Sequence, residues 1–279
     1  MKLIEPKVEL FSELNITPES HIARCSRVCY GREYKEPNQK VDEKMIRGLE
    51  TMGHLSMFRH ASIYISHLYN NPEYLRAHIL NSPYWNHDFS GYASTNIQEA
   101  VNSKIDKEPT ITVIDNKEFL EECAKDPKLF GLYRMTFCIT TQIGTSRELN
   151  RVSPNAIAEK STRYCSYKNG IEICKPWWWD DNSMQTNKIR YESAINKAEL
   201  CYQDMVNDGM TPEDTRGVLP LDTATKVIYT YSVNEWRHII DLRFYGTTGV
   251  PHPNAKIVIG MVRNEINNFA TNHGIKYRV

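Results

Sequence analysis

Two regular patterns of apolar residues run along the chain, one with helical spacing and one that alternates. Apolar residues three and four positions apart predict helices over 42–52 and 187–207, each followed by a glycine that can end a helix. Apolar residues that alternate with polar ones predict half-buried strands at 61–66 and 133–140. The chain therefore combines helices and strands.

Polar residues at helix starts predict three more helices. Thr211, followed by a proline, predicts a short helix that runs through Arg216. Ser232 and Glu235 have the spacing of a capping box, in which each residue satisfies a free main-chain N–H of the other. A last helix is expected after His252, which also precedes a proline.

Two further predicted elements carry arginines. A helix after the second strand bears Arg147 and Arg151, four positions apart, where like charges repel unless an anion or a carboxylate compensates. The run 161–167 alternates and predicts a strand with Arg163 and Cys165 on one face.

Residues 70–132 show the least regular pattern and are rich in Asn, Pro, Tyr and charge. They contain signals for a short helix after Pro72 and another at 118–123. No internal repeat and no linker rich in Pro, Gly or Ser divides the chain. We expect a single domain over 1–279, with residues 70–132 as an insertion.

The composition is that of a globular protein. The 279 residues include 34 basic and 34 acidic side chains and are 41% hydrophobic, which excludes a disordered chain. A formal charge of zero argues against a broad surface for nucleic acid polymers or membranes. The chain has no long apolar segment and no CxxC pair among its seven cysteines, so we expect a cytoplasmic protein. The histidine spacing matches no metal-ligand set, so no metal site is predicted.

Arg243 is the most unusual cation in the sequence. It follows Ile239 and Ile240 at helical spacing and so extends the apolar face of its helix. A guanidinium in that position needs an anionic partner. That partner is either a bound phosphate or polar ring, or one of three carboxylates of the chain: Glu148, Glu159 or Asp241.

One motif resembles a known family. Familiar nucleotide signatures such as GxGxxG are absent, but RELNR followed by AEKSTRYCSY resembles the signature of the flavin-dependent thymidylate synthases (ThyX). That signature is Arg-His-Arg, seven residues and Ser, with Glu two positions before the Ser and Arg-Tyr two and three after it. The residues at those spacings are Arg151, Glu159, Ser161, Arg163 and Tyr164.

Three other segments resemble the same family in the same order. They are GHLSMFRHASIYI, TRGVLPLDTAT and NEWRHIIDLRFYGTTGVPHP. The segment GYASTNIQ resembles part of the insertion found in longer members. The chain departs from the pattern at four positions. They are Val152 and Ser153, which replace His-Arg, Ala156, which replaces Ser, and Arg59, which replaces Glu.

The resemblance implies a fold and an activity. The fold would be α+β and ThyX-like, a mixed or antiparallel sheet flanked by helices, assembled as a homotetramer with active sites at subunit interfaces. The activity would be reductive methylation of dUMP at C5, with FAD as cofactor and NADPH and 5,10-methylenetetrahydrofolate as co-substrates. The partner would be a small nucleotide, with no nucleic acid polymer and no membrane.

The resemblance also implies roles for individual residues. The catalytic group would consist of Arg243, Ser161 and His54. The dUMP site would consist of Glu148, Arg151, Glu159, Ser161, Thr162, Arg163, Arg216 and Arg243. The cofactor site would consist of Ser56, Arg151, Glu159, His238 and His252.

Other interpretations remain open. The changed motif is compatible with a ThyX-like methylase or hydroxymethylase of UMP or of a modified pyrimidine nucleotide, or with a non-catalytic relative that binds nucleotide. Ser161 has a simpler interpretation as a turn hydroxyl, His54 as a capping histidine and His238 as a surface histidine.

Overall fold

The computed structural model of the chain describes residues 1–32, 36–105, 108 and 111–279. The strands are β1 (Lys2–Ile4), β2 (Lys7–Leu10), β3 (Ser62–Ser66), β4 (Asn86–His87), β5 (Ala93–Asn96), β6 (Thr112–Ile114), β7 (Arg134–Gln142), β8 (Ile157–Glu159), β9 (Glu172–Cys174) and β10 (Ala224–Ser232). The α-helices are α1 (Pro18–Cys29), α2 (Gln39–Thr51), α3 (Glu73–Asn81), α4 (Ile97–Asn102), α5 (Asn116–Lys125), α6 (Ile143–Leu149), α7 (Gln185–Asn207), α8 (Pro212–Thr215), α9 (Val233–Ile240) and α10 (Pro253–Asn272).

The central sheet has the strand order β2-β7-β10-β8, and every neighbouring pair is antiparallel. β7 and β10 pair along their whole length, from Arg134 opposite Ser232 to Gln142 opposite Ala224. All nine residues of β7 are buried, because helices cover both faces of the sheet. The prediction of a strand at 133–140 is confirmed, but the prediction that it is half-buried was wrong.

α1 and α2 cover one face of the central sheet. Ile22 and Cys25 of α1 and Leu49 of α2 pack against Cys138 and Ile228 of the two long strands. Because each side chain is almost completely buried, this layer excludes water from the middle of the sheet.

α9 and α10 cover the opposite face. Trp236 and Ile239 of α9 and Val258 of α10 pack against Phe137 and Tyr229. The rings of Phe137 and Trp236 meet edge to face, with centroids 5.2 Å apart. Burial of an aliphatic side chain such as Ile239 stabilises the fold by about 2 kcal/mol.

A second antiparallel sheet has the order β4-β5-β3-β6 and contains strands from residues 70–132. β3 lies between β5 and β6, and its Ser62, Tyr64 and Ser66 are buried as well as Ile65, while Ile63 is partly buried. Tyr64 stacks on Phe119 of α5, with ring centroids 4.3 Å apart. The predicted strand is therefore buried on both faces, not one. That residues 70–132 are an insertion stays a prediction.

Most predicted helices are confirmed, together with their capping chemistry. Ser232 Oγ accepts the N–H of Glu235 at 3.2 Å, and the Glu235 carboxylate accepts the N–H of Ser232 at 2.7 Å. The Thr211 hydroxyl caps α8. The helices predicted over 42–52 and 187–207 are α2 and α7.

The N-terminal elements and the buried face of α7 differ from expectation. α1 was not predicted from the sequence, although its cap Thr17 precedes a proline. On α7 only Ile195 and Tyr202 are buried, while Ala194 and Cys201 are exposed. α7 therefore contacts the rest of the protein through a narrow strip. Among the described residues, every helix is too short or too polar to cross a lipid bilayer.

Replacement of Trp236 tests the packing between α9 and β7. Its indole N–H donates to the Met135 carbonyl at 3.0 Å, and its ring is completely buried. We expect Trp236→Phe to lower the free energy of unfolding by about 2 kcal/mol, because it removes both a buried hydrogen bond and ring volume. Urea unfolding followed by circular dichroism measures this change.

Trp177→Phe is the matched control, because Trp177 is 51% exposed. It should change the free energy of unfolding by less than about 0.5 kcal/mol. Equal losses in the two variants would contradict the assignment of Trp236 to the core.

Candidate functional site

The turn after β8 carries the residues of the sequence motif. Ser161 Oγ accepts the N–H of Arg163 at 3.2 Å, and the Ser161 carbonyl accepts the N–H of Cys165 at 3.0 Å. Such local bonds compete with strand pairing, so the prediction of a strand over 161–167 was wrong. Arg163 is exposed and Cys165 is buried, so the two residues do not share a face.

α6 positions Arg147 but ends two residues before Arg151. The Tyr229 hydroxyl donates to the Ser146 carbonyl at 2.9 Å, the oxygen that a longer helix would use for its next turn. The predicted pair of arginines on one helix was therefore wrong. Arg151 lies in the following loop and is exposed.

A cleft of about 590 Å³ opens between α6, the turn after β8 and the segment that follows α8. Main-chain bonds fix its walls: the N–H of Gly144 donates to the Leu221 carbonyl at 2.9 Å, and the N–H of Ser161 donates to the Cys29 carbonyl at 2.9 Å. Five of the predicted dUMP-site residues line the cleft. They are Glu159, Ser161, Thr162, Arg163 and Arg216.

Glu159 is the partly buried carboxylate of the cleft. Its Oε1 accepts the Ser146 hydroxyl at 3.0 Å. Burial raises the pKa of Glu159 above its ordinary value, while hydrogen bonds from Ser146 and Thr225 and the charge of Arg147 oppose that rise. The cleft therefore contains an acceptor that neighbouring groups hold in a fixed position.

Arg163 and Arg216 supply positive charge at the mouth of the cleft. Arg163 Nε lies 2.7 Å from Glu213 Oε1, and Nη2 donates to the second oxygen of the same carboxylate at 3.2 Å. Both side chains are about half exposed, and an ion pair this exposed is readily exchanged for another anion. Arg216 is exposed and follows α8 directly.

Arg243 does not line the cleft; it lies on a π-helical turn (Asp241–Tyr245) that follows α9 and contacts α6, which forms one wall of the cleft. The π turn ends the regular α-helical spacing, so Arg243 leaves the apolar face that the sequence predicted for it. Its Nε donates to the main-chain carbonyl of Glu148 at 2.8 Å, not to a carboxylate. Burial and the nearby charge of Arg151 lower the pKa of Arg243, and Glu148 opposes this.

Of the predicted cofactor residues, Glu159 lines this cleft, whereas Ser56, Arg151, His238 and His252 do not, and neither does the predicted catalytic His54. His54 and Ser56 are exposed on a 3₁₀ segment between α2 and β3, and His238 is exposed on α9. His252 caps α10, where its Nδ1 accepts the N–H of Asn254 at 3.3 Å. Within the described residues, no group of three or more His, Cys, Asp or Glu side chains is arranged to hold a metal.

The two changed motif positions differ in exposure. Val152 is 9% exposed and belongs to the same apolar core as Ala156, whereas Ser153 is exposed. The Arg59 guanidinium donates to the Asn155 carbonyl at 3.1 Å, so this cation holds the loop and does not line the cleft.

Sequence reasoning missed three contributors to the cleft. Ser146 holds Glu159, Leu221 forms part of one wall, and Lys160 lies between two motif residues without having been assigned a role. The position of Lys160 inside the motif was a usable signal. The hydrogen bond from Ser146 to Glu159 joins α6 to β8, so no local sequence pattern indicates it.

A cleft of this size with cationic side chains around it is suited to a small anionic ligand. The model of a family described as "Thymidylate synthase complementing protein" (Thy1) matches residues 86–251, more than half of the chain. The chain belongs to this family, and the resemblance found in its motifs is confirmed.

Two curated relatives carry the name flavin-dependent thymidylate synthase. The protein of Halobacterium salinarum is 31% identical over 64 residues, which cover 23% of this chain and 26% of that protein. The protein of Geobacter sulfurreducens is 32% identical over 101 residues, which cover 35% of this chain and 42% of that protein. The chain thus spans about a quarter and about two fifths of these relatives.

Solved structures similar to this chain include a UMP/dUMP methylase, PolB, from Streptomyces cacaoi. The structure bound with 5-Br dUMP has a TM-score of 0.47 and 16% identity, over 97% of this chain and 93% of that chain. The structure bound with 5-Br UMP has a TM-score of 0.46 and 16% identity, over 98% and 97% of the two chains.

The raised pKa of Glu159 predicts how the stability of the protein depends on pH. Folding favours the protonated form, so this group lowers stability as pH rises from the ordinary value of 4.5 through the folded pKa. We expect Glu159→Gln to melt at a higher temperature than the wild type at neutral pH, with a difference that shrinks as pH falls towards 4.5. Thermal unfolding at a series of pH values measures this.

Glu50→Gln, which changes an exposed carboxylate on α2, is the control and should follow the wild type at every pH. A difference between Glu159→Gln and the wild type that does not depend on pH would contradict the burial of the charged carboxylate.

Proposed function

We propose that the chain is a flavin-dependent thymidylate synthase that methylates dUMP at C5, using 5,10-methylenetetrahydrofolate as carbon donor and FAD reduced by NADPH. Membership of the family supports this activity. The observation that carries the proposal is the gathering of Arg163, Arg216, Ser161 and Glu159 in one cleft, with Arg243 hydrogen-bonded to α6, one of its walls.

The nucleotide phosphate would bind at the mouth of the cleft. Arg163 already holds a bidentate carboxylate there, and the planar fork of a guanidinium binds phosphate in the same way. Exchange of Glu213 for a phosphate would cost little free energy, because the existing ion pair is exposed. Arg216 and the Ser161 hydroxyl would complete the phosphate contacts from two sides.

Arg243 would act on the uracil ring. Its Nε is fixed by the Glu148 carbonyl, which aims the rest of the guanidinium while leaving two nitrogens for a ligand. The nearby Arg151 charge disfavours the cationic state of Arg243, and negative charge on a ring between them would relieve that repulsion. An arginine positioned in this way stabilises the anionic ring that forms when C5 acts as a nucleophile.

The residues assigned to FAD have the donor chemistry that this cofactor needs. His54 and Ser56 are exposed, and within the described residues their side chains make no hydrogen bond. Among the described contacts, the Arg151 guanidinium donates through Nη1 alone, to the Asn150 carbonyl at 2.8 Å. These side chains would hold the flavin through its carbonyl and phosphate oxygens, with His238 as a further donor. The flavin, when bound, supplies reducing equivalents for the methylene group.

The proposal includes assembly as a homotetramer. His54 and Ser56 lie before β3, His238 lies on α9, and neither group lines the cleft of its own chain. A second copy that covers the cleft could bring its own cofactor residues to the nucleotide. This arrangement would also exclude water from the reacting ring.

The activity is tested by tritium release from C5-labelled dUMP with reduced FAD and methylenetetrahydrofolate, under anaerobic conditions. We expect release by the wild type and a decrease on the order of 100-fold in kcat/KM for Arg216→Lys and Arg243→Lys, because lysine cannot reproduce a bidentate contact.

Arg190→Lys is the matched control, since Arg190 is exposed on α7 away from the cleft. It should keep the wild-type rate. Absence of tritium release from folded wild-type protein loaded with flavin would refute the proposed reaction.

A ThyX-like methylase of another pyrimidine nucleotide is the second candidate, favoured by Val152 and Ser153 in place of His-Arg. Since Val152 is packed in the core, a histidine there would be destabilising, and the exposed Ser153 is the better position to test. We expect Ser153→Arg to bind FAD about tenfold more tightly than the wild type, by one added charge-assisted contact.

Flavin fluorescence titration measures this affinity, with Ser153→Gln as the uncharged control. Competition among dUMP, UMP and modified nucleotides for the flavin-loaded protein then identifies the substrate. An unchanged FAD affinity in Ser153→Arg would contradict a flavin contact at this position. If the wild-type protein binds dUMP but does not bind flavin, the chain is a non-catalytic relative.

A further inference from the structure

A second cleft, of about 490 Å³, lies on the α1 side of the central sheet. Five of its lining side chains are cationic and two are carboxylates. The cationic residues are Lys7, Arg24, Arg32, Lys160 and Lys226. We call this site the lysine cleft.

Strand pairing aligns three of these cations in one row. Lys7 of β2 pairs with Thr140 of β7, and Thr140 pairs with Lys226 of β10. The N–H of Lys160 donates to the Lys226 carbonyl at 2.8 Å, which continues the row beyond β8. Directly paired residues of antiparallel strands point to the same face, so the three lysines project into the same space.

The carboxylates of the lysine cleft are already engaged. Glu9 pairs with Lys7 at 3.1 Å, and Glu172 pairs with Lys2, which lies outside the lining. In the part of the chain that the structure describes, no carboxylate forms an ion pair with Arg24, Arg32, Lys160 or Lys226. Like charges opposite each other on a sheet destabilise it, and Lys226 and Lys160 are such neighbours in this row, since Lys160 bonds to the Lys226 carbonyl.

Aromatic rings hold two of the cations without neutralising them. The Arg24 guanidinium lies 3.6 Å from the centre of the Phe11 ring, and Lys160 Nζ lies 4.9 Å from the centre of the Tyr167 ring. The charges also act at a common point. Those of Lys226, Arg24 and Lys7 all oppose the rise of the Cys138 pKa that burial causes, to about 11.

We propose that the lysine cleft binds a small molecule that carries a chain of two or more phosphate groups. Several point charges in a row match the spacing of charge along such a chain better than they match a single phosphate. The volume is that of a small-molecule site, and Phe11 and Val28 give it an apolar wall. Among the described residues, only Lys160 lines both this cleft and the cleft proposed above for dUMP, which we call the nucleotide cleft. The two sites are therefore neighbours but separate.

Titration calorimetry with inorganic tripolyphosphate tests the site. We expect saturable binding by the wild type and about tenfold or greater weakening in the double variant Lys7→Gln with Lys226→Gln, since two charged contacts are lost. The control is Lys125→Gln with Lys197→Gln, which removes two exposed lysines from α5 and α7 and should leave the affinity unchanged.

Thermal unfolding at low salt provides an independent measurement. Loss of ligand binding through misfolding would lower the melting temperature, whereas relief of like-charge repulsion should keep or raise it. A stable double variant with weakened binding therefore supports the proposal.

Competition identifies the source of the phosphates and separates the two clefts. Displacement of tripolyphosphate by ATP supports a nucleoside triphosphate, and displacement by FAD supports the pyrophosphate of a dinucleotide. Displacement by dUMP would overturn the proposal, because the anion would then occupy the nucleotide cleft. No saturable binding, or equal weakening in the test and control variants, would also overturn it.

Discussion

The nine-residue ladder between β7 and β10 determines where polar chemistry can lie in this protein. Helices cover both faces along most of these strands, so a charged group there loses its hydration and needs hydrogen-bond partners. Arg134 has such partners in the carbonyls of Arg59 and Thr230, whereas Lys226 is exposed near the start of β10. β8 offers a different environment, because it has only three residues and two of them are only partly buried. Glu159 is the last residue of this short strand, and the turn that follows it exposes Arg163 and Tyr164 of the motif to solvent. Both candidate clefts open at this end of the sheet and share Lys160.

Repulsion between like charges is a feature of both candidate sites. The charge of Arg151 acts on Arg243, with that of Glu148 opposing it, and the three lysines of the lysine cleft lie in register. Glu159 is a carboxylate held partly out of water. The raised pKa of Glu159 and the lowered pKa of Arg243 mean that folding disfavours the charged form of each group. A ligand that pairs or hydrogen-bonds with these charged forms would offset this cost. Burial of the apolar cores around Trp236 and Leu49 stabilises the fold and offsets these unfavourable contributions to the free energy of folding.

The sequence was sufficient where the determining signal is local. Capping residues such as Ser232 and Thr211 located helices, and ordered motifs located the family and five residues of one cleft. Sequence reasoning failed where distant segments decide the outcome. The turn at Ser161 is held by a main-chain bond to the Cys29 carbonyl of α1, and the early end of α6 depends on Tyr229 from another strand. Burial of both faces of β7 also depends on helices remote in sequence, which no pattern within 133–140 records.

The π turn at Asp241–Tyr245 has a consequence for how the family could vary. A π turn contains one residue more than the α-helical turn it replaces. Deletion of a single residue there would restore α-helical geometry and rotate the following side chain by about 100° around the axis. Arg243 would then point elsewhere while α9 and α10 kept their places. The direction of this guanidinium is thus controlled by chain length at one turn, separately from the core, and a change of one codon could create or abolish it.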